Sequence, residues 1–219
     1  ARKSRGLGDV YKRQVFISFE GIEGSGKSTQ IELLESSLRD LGHHVKKLRE
    51  PGTTLLGERI REIFLEETDE ITDPITEAFL LYASRKHLDQ NMLRKNLDKG
   101  CIVIADRYAD ATLAYQCYGK GLSIDFIDYI HKESKLLTPD LTFYMDISAK
   151  KSKERISGRE MDRMEVEPLE FFEKVREGYL EIAEKSPDRV VCLDANKGIE
   201  ELESEIFNKT IEKLNAALE

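Results

Sequence analysis

The chain has 219 residues, of which 40% are hydrophobic, and a formal net charge of −8 at pH 7. This length and composition suffice for one domain with a substantial core, and no Pro/Gly/Ser-rich linker divides the chain. The apolar runs are too short for a membrane-spanning helix. The acidic balance argues against broad nucleic-acid binding, which depends on basic side chains at phosphates. We therefore expect small-molecule partners, with neither a nucleic acid nor a membrane among them.

The first 14 residues differ from the rest of the chain. They contain five basic residues and one acidic residue, and they show neither helix nor strand periodicity. They also lack the apolar segment of a secretory signal and do not begin with methionine. We expect residues 1–14 to be a disordered leader or non-native segment before a single domain over residues 15–219.

Three cysteines, Cys101, Cys117 and Cys192, have no spacing typical of a metal site. Two of them fall in predicted strands, so we expect buried free thiols rather than disulfides. Free thiols are typical of a reducing compartment, which indicates a cytoplasmic protein.

The eight residues 21–28, Gly-Ile-Glu-Gly-Ser-Gly-Lys-Ser, match the phosphate-binding pattern G-x-x-x-x-G-K-[ST]. They lie between a strand-like run, Val15 to Phe19, and a helical stretch from Ser28, which is the context that such a loop requires. In this arrangement backbone N–H groups surround phosphate oxygens, Lys27 reaches the outer phosphates and the Ser28 hydroxyl ligates Mg²⁺. The motif predicts a site for a nucleoside triphosphate.

Short apolar runs alternate with longer amphipathic stretches along the chain. This alternation predicts an α/β fold whose parallel sheet has helices on both faces. The predicted strands are Val15 to Phe19, Val45 to Leu48, Cys101 to Ala105, Leu141 to Ile147 and Val190 to Leu193. Right-handed crossovers bring the carboxyl ends of such strands to one edge, where open α/β folds bind ligands.

Two further segments follow strand ends and carry charged side chains. The third predicted strand leads into Asp106 and Arg107, which places a carboxylate suited to Mg²⁺ beside a guanidinium that can grip a second phosphate. The second strand stops at Glu50-Pro51, because proline cannot continue the ladder, and leads into a helix carrying Arg61. Arg61 can hold an acceptor phosphate or belong to a solvated, charge-paired face. Together these segments indicate two phosphate sites.

Several motifs occur in the order and spacing of one enzyme family. They are FEGIEGSGKSTQ, REPG followed by LGERIR, LLYASR, DRY followed by AYQ, TPDLTFYMDI and RxxxREMDR, and they extend from Val15 to about Asn196. In these motifs the chain resembles the thymidylate kinases of bacterial type. The resemblance implies the P-loop nucleoside monophosphate kinase fold with a five-stranded parallel sheet. It also implies phosphorylation of dTMP to dTDP with ATP and Mg²⁺, in a homodimer.

The resemblance further implies roles for individual residues. The residues expected to bind ATP are Gly21, Glu23, Gly24, Ser25, Gly26, Lys27, Ser28, Thr29 and Asn196, and those expected to bind Mg²⁺ are Ser28 and Asp106. The residues expected to bind the acceptor nucleotide are Glu23, Glu50, Arg61, Leu81, Arg85, Arg107, Thr112, Tyr115 and Gln116. The residues expected to be catalytic are Lys27, Arg107, Arg159 and Arg163, the last two in a lid over about residues 150–166. Within this set Arg85 reads the thymine edge and Tyr115 disfavours a 2′-hydroxyl.

Four positions depart from the family pattern. Leu81 replaces a phenylalanine that stacks on the base, a contact worth about 1 kcal/mol beyond burial, and Tyr82 or Phe79 could compensate. Ala111 replaces a serine, and Cys117 and Thr53 each replace a glycine. Two alternatives stay open: a diverged paralogue that phosphorylates another nucleoside monophosphate, and a non-catalytic nucleotide-binding protein. A deoxynucleoside kinase is a weaker rival, because the paired arginines favour a phosphate acceptor.

Overall fold

The computed structural model describes residues 15–66, 73–158 and 163–216, so the predicted leader lies outside the described residues. Its sheet has five parallel strands in the order β2-β3-β1-β4-β5. The strands are β1 (Phe16–Glu20), β2 (Val45–Arg49), β3 (Ile102–Asp106), β4 (Leu141–Asp146) and β5 (Val190–Asp194). The five-stranded parallel sheet expected from the sequence is confirmed.

Position in the sheet decides how each strand is buried. The central strands β1, β3 and β4 are almost continuously buried, because both of their faces are covered. The edge strands β2 and β5 instead mix buried with exposed residues. The expected burial of the cysteines is therefore wrong for Cys192, which is exposed on β5, and Cys101 is only half-buried before β3. Both are free thiols, as is the buried Cys117.

Helices occupy most of the connections between strands. They are α1 (Lys27–Asp40), α2 (Leu55–Leu65), α3 (Pro74–Leu88), α4 (Arg94–Leu97), α5 (Ala109–Thr112), α6 (Ile124–Glu133), α7 (Ala149–Ile156), α8 (Leu169–Lys185) and α9 (Ile199–Ala216). Two π-helical segments, Asp89–Leu93 and Leu113–Gly119, extend α3 and α5. A membrane crossing would need a longer, more apolar helix than any in the described part of the chain.

The core lies on both faces of the sheet, as the alternation of strands and helices predicts. Successive residues of a strand point to opposite faces. Phe19 accordingly belongs to the apolar cluster that includes the buried residues of α1 and α9, whereas Phe16 packs with Leu88 of α3. On this second face Tyr179 of α8 stacks on Tyr144 of β4, with ring centroids 4.9 Å apart.

The register of the strands brings the candidate site together. Phe19 pairs with Asp106 across β1 and β3, and Arg49 pairs with Asp106 across β2 and β3. The segments that follow these three strands therefore start side by side at the carboxyl edge of the sheet. They contain the phosphate loop, Glu50 and Arg107.

Candidate active site

The predicted phosphate loop connects β1 to α1 and has the backbone that anion binding requires. Gly21, Gly24 and Gly26 have φ angles of 137°, 71° and 91°, which residues with a Cβ rarely adopt. At Gly21 a Cβ would also lie 2.7 Å from the carbonyl oxygen of Met145. Glycine is thus needed at these turns, and the loop ends at the N-terminus of α1, whose dipole favours anions.

Lys27 is buried beneath the loop. Its Nζ donates to the carbonyl oxygens of Gly21 and Ile22, at 2.8 and 3.0 Å. Burial, and then the charge of Arg107, lower the pKa of Lys27 to about 8. Because a desolvated ammonium is stabilised by an approaching anion, Lys27 is suited to bind a phosphate group.

The loop borders a cleft, called here the phosphate cleft. Ser28 and Thr29 are exposed in it at the first turn of α1, and Asp106 lines it from the end of β3. The other lining residues are Glu23, Gly24, Gly26, Lys27, Arg49, Glu50, Arg61, Arg107, Arg155, Ile156 and Glu165. A hydroxyl and a carboxylate in one cleft are oxygen ligands of the kind that Mg²⁺ binds together with phosphate oxygens and water.

A second cavity, called here the acceptor pocket, adjoins the phosphate cleft. All nine residues expected to bind the acceptor nucleotide line it. Its remaining lining residues are Pro51, Phe64, Leu65, Tyr108, Ala111 and Met164. Glu23, Glu50, Arg61 and Arg107 line both cavities. Ligands bound in the two cavities would therefore meet at these four residues.

Arg107 lies at this junction with a φ angle of 66°, which is uncommon for a residue other than glycine. Its guanidinium forms an ion pair with Glu23 and donates to the hydroxyl groups of Tyr115 and Tyr179, at 3.1 and 3.3 Å. The Tyr115 hydroxyl donates in turn to Glu23 at 3.0 Å. Burial alone would raise the pKa of Glu23, but Arg107 and Lys27 lower it to about 2. Glu23 is therefore ionised at neutral pH and holds the guanidinium in place.

Arg85 is a fully buried arginine that lines the acceptor pocket. Its Nε donates to Glu50 at 2.6 Å, and its Nη2 donates to the Tyr108 carbonyl oxygen and the Thr112 hydroxyl at 3.1 and 3.0 Å. Burial raises the pKa of Glu50 to about 7, although Arg85 opposes the shift. Arg85 Nη1 has no hydrogen-bond partner among the described residues. Since a buried donor without a partner is costly, this nitrogen indicates an acceptor group on a ligand.

The predicted lid begins with α7, and Arg159 lies outside the described residues. Arg163 turns toward α2 and α3, where it donates to Glu77 at 3.3 Å, and it is not among the described residues that line the phosphate cleft. Arg155 of α7 does line that cleft and donates to the Gly24 carbonyl oxygen at 3.1 Å. This contact could not be predicted from the sequence, because Arg155 ends a lysine-rich stretch that resembles a solvated helix face.

Asn196, expected to contact adenine, lies in the loop after β5. Its amide nitrogen donates to Asp194 at 2.6 Å, and its amide oxygen accepts from Lys151 at 2.9 Å. It is not among the described residues that line either cavity. Its contact with adenine stays a prediction.

The departures from the family pattern have visible local consequences. Leu81 lines the acceptor pocket, but neither Phe79 nor Tyr82 does, and Phe79 is 56% exposed. The suggestion that one of these two rings replaces the missing phenylalanine is therefore wrong. Phe64 of α2 supplies an aromatic ring to the pocket wall instead. Thr53 has a φ angle of 65°, a conformation that suits the glycine expected at this position.

Comparisons with known proteins point to one family. A model of the thymidylate kinase family matches residues 19–206. Thymidylate kinases of Caldanaerobacter subterraneus subsp. tengcongensis and Sulfurihydrogenibium sp. are 42% and 44% identical, over 83% and 85% of this chain and 88% and 92% of their own. The thymidylate kinase of Deinococcus radiodurans is 43% identical over 91% of this chain and 97% of its own.

The fold comparison gives the same answer. The crystal structure of thymidylate kinase from Ehrlichia chaffeensis matches with a TM-score of 0.74 and 32% identity, over 90% of this chain and 98% of that one. This match confirms the P-loop nucleoside monophosphate kinase fold. With a family match over most of its length and relatives above 40% identity, the chain belongs to the thymidylate kinase family.

Proposed function

We propose that this chain transfers the γ-phosphoryl group of ATP to dTMP, which yields ADP and dTDP for dTTP synthesis. The observation that carries the proposal is the junction of the two cavities, where Glu23, Glu50, Arg61 and Arg107 line both. Phosphoryl transfer requires the donor and acceptor phosphates to be held in line, with their charge neutralised. Two arginines at the junction meet this requirement.

The phosphate cleft fits ATP with Mg²⁺. The N–H groups of the loop and the ammonium of Lys27 surround the outer phosphates. The ion fits the Ser28 hydroxyl and the Asp106 carboxylate, which line the same cleft. When bound, Mg²⁺ supplies neutralising charge at the phosphoryl group that is transferred. Arg155 adds a cation from α7.

The acceptor pocket offers the polar atoms that a thymine edge needs. Arg85 Nη1 is a buried donor and Gln116 Oε1 is a buried acceptor, and neither has a partner among the described residues. Thymine presents the complementary groups, an O4 acceptor next to an N3–H donor. Cytosine presents the opposite pair, so these two side chains favour thymine.

Catalysis follows from orientation and charge. The acceptor oxygen of dTMP is already ionised near neutral pH, so the reaction needs no general base. Arg61 and Arg107 hold the acceptor phosphate, and Lys27 neutralises charge on the transferring group. Glu23 and Tyr115 fix Arg107 in its place. Closure of the predicted lid excludes water and suppresses hydrolysis of ATP.

We also propose that the enzyme is a cytoplasmic homodimer. The helices α2, α3 and α6 expose large apolar side chains, among them Ile63 (55%), Phe79 (56%) and Tyr129 (65%). Apolar side chains exposed on adjacent helices are typical of an interface, and the free thiols are consistent with a reducing compartment. Sedimentation equilibrium tests the dimer: a monomer at micromolar concentration would contradict it.

Nucleotide analysis by liquid chromatography tests the proposed reaction. With ATP, Mg²⁺ and dTMP, we expect dTDP and ADP in equal amounts. Lys27→Ala and Arg107→Ala should each lower turnover by about 100-fold or more while the fold persists, because each removes a cation at the reacting phosphates. Arg39→Ala, at an exposed position on α1, is the matched control and should retain turnover.

Two results would count against these assignments. ADP formation without dTDP would contradict transfer to dTMP. Near-normal turnover of either variant would contradict the role given to its residue.

A further inference from the structure

Glu77 is a fully buried carboxylate on the first turn of α3. Its side chain accepts hydrogen bonds from three different segments: from Gln116 Nε2 at 3.0 Å, from Lys120 Nζ at 2.8 Å and from Arg163 Nη2 at 3.3 Å. A carboxylate is buried at high cost unless cations and hydrogen bonds compensate it. Here two cations and an amide compensate the carboxylate. Glu77 is not among the described residues that line either cavity.

The contact with Gln116 fixes the orientation of its amide. Glu77 already accepts from two cations, and a carboxylate accepts hydrogen bonds rather than donating them, so the amide turns its Nε2 toward Glu77. Gln116 lines the acceptor pocket, and its Oε1 is the buried atom without a partner among the described residues. Glu77 thereby determines that Gln116 presents a hydrogen-bond acceptor, rather than a donor, to the pocket.

The contact with Arg163 reaches a second part of the wall of the same pocket. Arg163 Nε donates to the Phe64 carbonyl oxygen at 3.0 Å, and its guanidinium carbon lies 5.8 Å from the centre of the Phe64 ring. Phe64 and Met164 both line the acceptor pocket. The Nζ of Lys120, the second cation that contacts Glu77, lies 3.8 Å from Oε1 of Glu167. The carboxylate therefore ties residues 163–167, which include the end of the predicted lid, to the pocket wall.

We propose that Glu77 is a positioning residue for pyrimidine specificity. It orients Gln116 so that Oε1 accepts from the N3–H of thymine, and through Arg163 it fastens residues 163–167 beside the base. The proposal rests on dTMP being the acceptor, as proposed above. It gives Arg163 a place at the acceptor base rather than at the ATP phosphates.

The test replaces the carboxylate by its neutral isostere. In Glu77→Gln the new amide can donate to Gln116, so the Gln116 amide is free to turn its donor toward the pocket. We expect the ratio of kcat/KM for dTMP to that for dCMP to fall by about 10-fold or more. The KM for dTMP should rise while the KM for ATP changes little. Glu133→Gln, an exposed carboxylate on α6, is the control and should leave both parameters unchanged.

A double-mutant cycle separates orientation of the amide from a general loss of structure. In a Gln116→Ala background, Glu77→Gln should no longer change the dTMP/dCMP ratio. Arg163→Ala should raise the KM for dTMP more than it lowers kcat, and Arg163→Lys should restore part of the loss. Unchanged selectivity in Glu77→Gln, or an equal change in the Gln116→Ala background, would overturn the proposal.

Calorimetric titration of dTMP and dCMP accompanies the kinetics, so the role of Glu77 is measured even in a variant with little turnover. Thermal unfolding checks that each variant is folded. If Glu77→Gln does not fold, Arg163→Ala and Gln116→Ala still decide, because the proposal requires loss of dTMP affinity in the first and loss of selectivity in the second. Wild-type protein that prefers another acceptor would contradict the proposed function, whereas a variant without altered preference would contradict the role of Glu77.

Discussion

Glu20 is a fully buried carboxylate at the end of β1, directly before the phosphate loop. Its Oε1 accepts from the Tyr108 N–H at 2.7 Å, and its Oε2 accepts from the Tyr179 hydroxyl at 2.9 Å. Tyr179 also accepts from Arg107, so Glu20 supports the arginine through one tyrosine. Burial, and then the charge of Asp110, raise the pKa of Glu20 to about 8.

We predict that Glu20 makes the stability of the protein depend on pH. The ordinary pKa of the carboxyl is 4.5, so between this value and about 8 the folded state binds a proton that the unfolded state releases. Stability therefore falls as the pH rises through this window. Glu20→Gln mimics the protonated carboxyl and should gain stability relative to wild type as the pH rises from 5 to 9, by about 1 kcal/mol or more.

Urea unfolding at intervals of pH measures this difference. Glu133→Gln, at an exposed position, should differ from wild type by a constant amount. A constant difference for Glu20→Gln as well would contradict the prediction.

At the scale of elements, α7 closes one side of the phosphate loop. Arg155 donates to the carbonyl oxygens of Gly24 and Ala195, at 3.1 and 2.9 Å. The Ser152 hydroxyl donates to the Glu23 carbonyl oxygen at 2.6 Å. The helix thus joins the phosphate loop to the loop that follows β5.

We predict that Arg155→Ala raises the KM for ATP by about 10-fold, because a cation lining the phosphate cleft is lost. The KM for dTMP should change little, since Arg155 does not line the acceptor pocket. Lys150→Ala, an exposed residue on the same helix, is the control. Initial rates, with each substrate varied in turn, give both KM values. An equal rise in the two would contradict the prediction.

Local spacing explains which elements and residues could be predicted. The bounds of every strand were predicted to within about one residue. A strand buried on both faces has a continuous apolar run, and a strand buried on one face has an alternating one, so both can be recognised in the sequence. The loop residues followed from a motif whose geometry is local, and the pocket residues followed from the family resemblance. Glu77 and Arg155 could not be predicted, because their contacts join segments far apart in sequence: Arg163 is 86 residues from Glu77, and Gly24 is 131 from Arg155. Periodicity carries no information about such pairs.

At the scale of the whole molecule, charge is distributed unevenly. The chain has a net charge of −8, yet five cationic side chains among the described residues line the phosphate cleft. Those that line the phosphate cleft are Lys27, Arg49, Arg61, Arg107 and Arg155. A net negative charge disfavours long polyanions, whereas cationic side chains in a cleft attract small phosphates. This distribution of charge suits an enzyme whose substrates are free nucleotides.

A panel of acceptor nucleotides tests most directly whether the protein transfers the γ-phosphoryl group of ATP to a thymine nucleotide. Initial rates with ATP, Mg²⁺ and each of dTMP, dUMP, dCMP, dGMP, dAMP and UMP give kcat/KM for every acceptor. We predict the highest value for dTMP, with dUMP next because its ring edge is the same, and dCMP and UMP lower than dTMP by about 10-fold or more. Preference for dCMP or a purine nucleotide, or no transfer to any acceptor, would contradict the account.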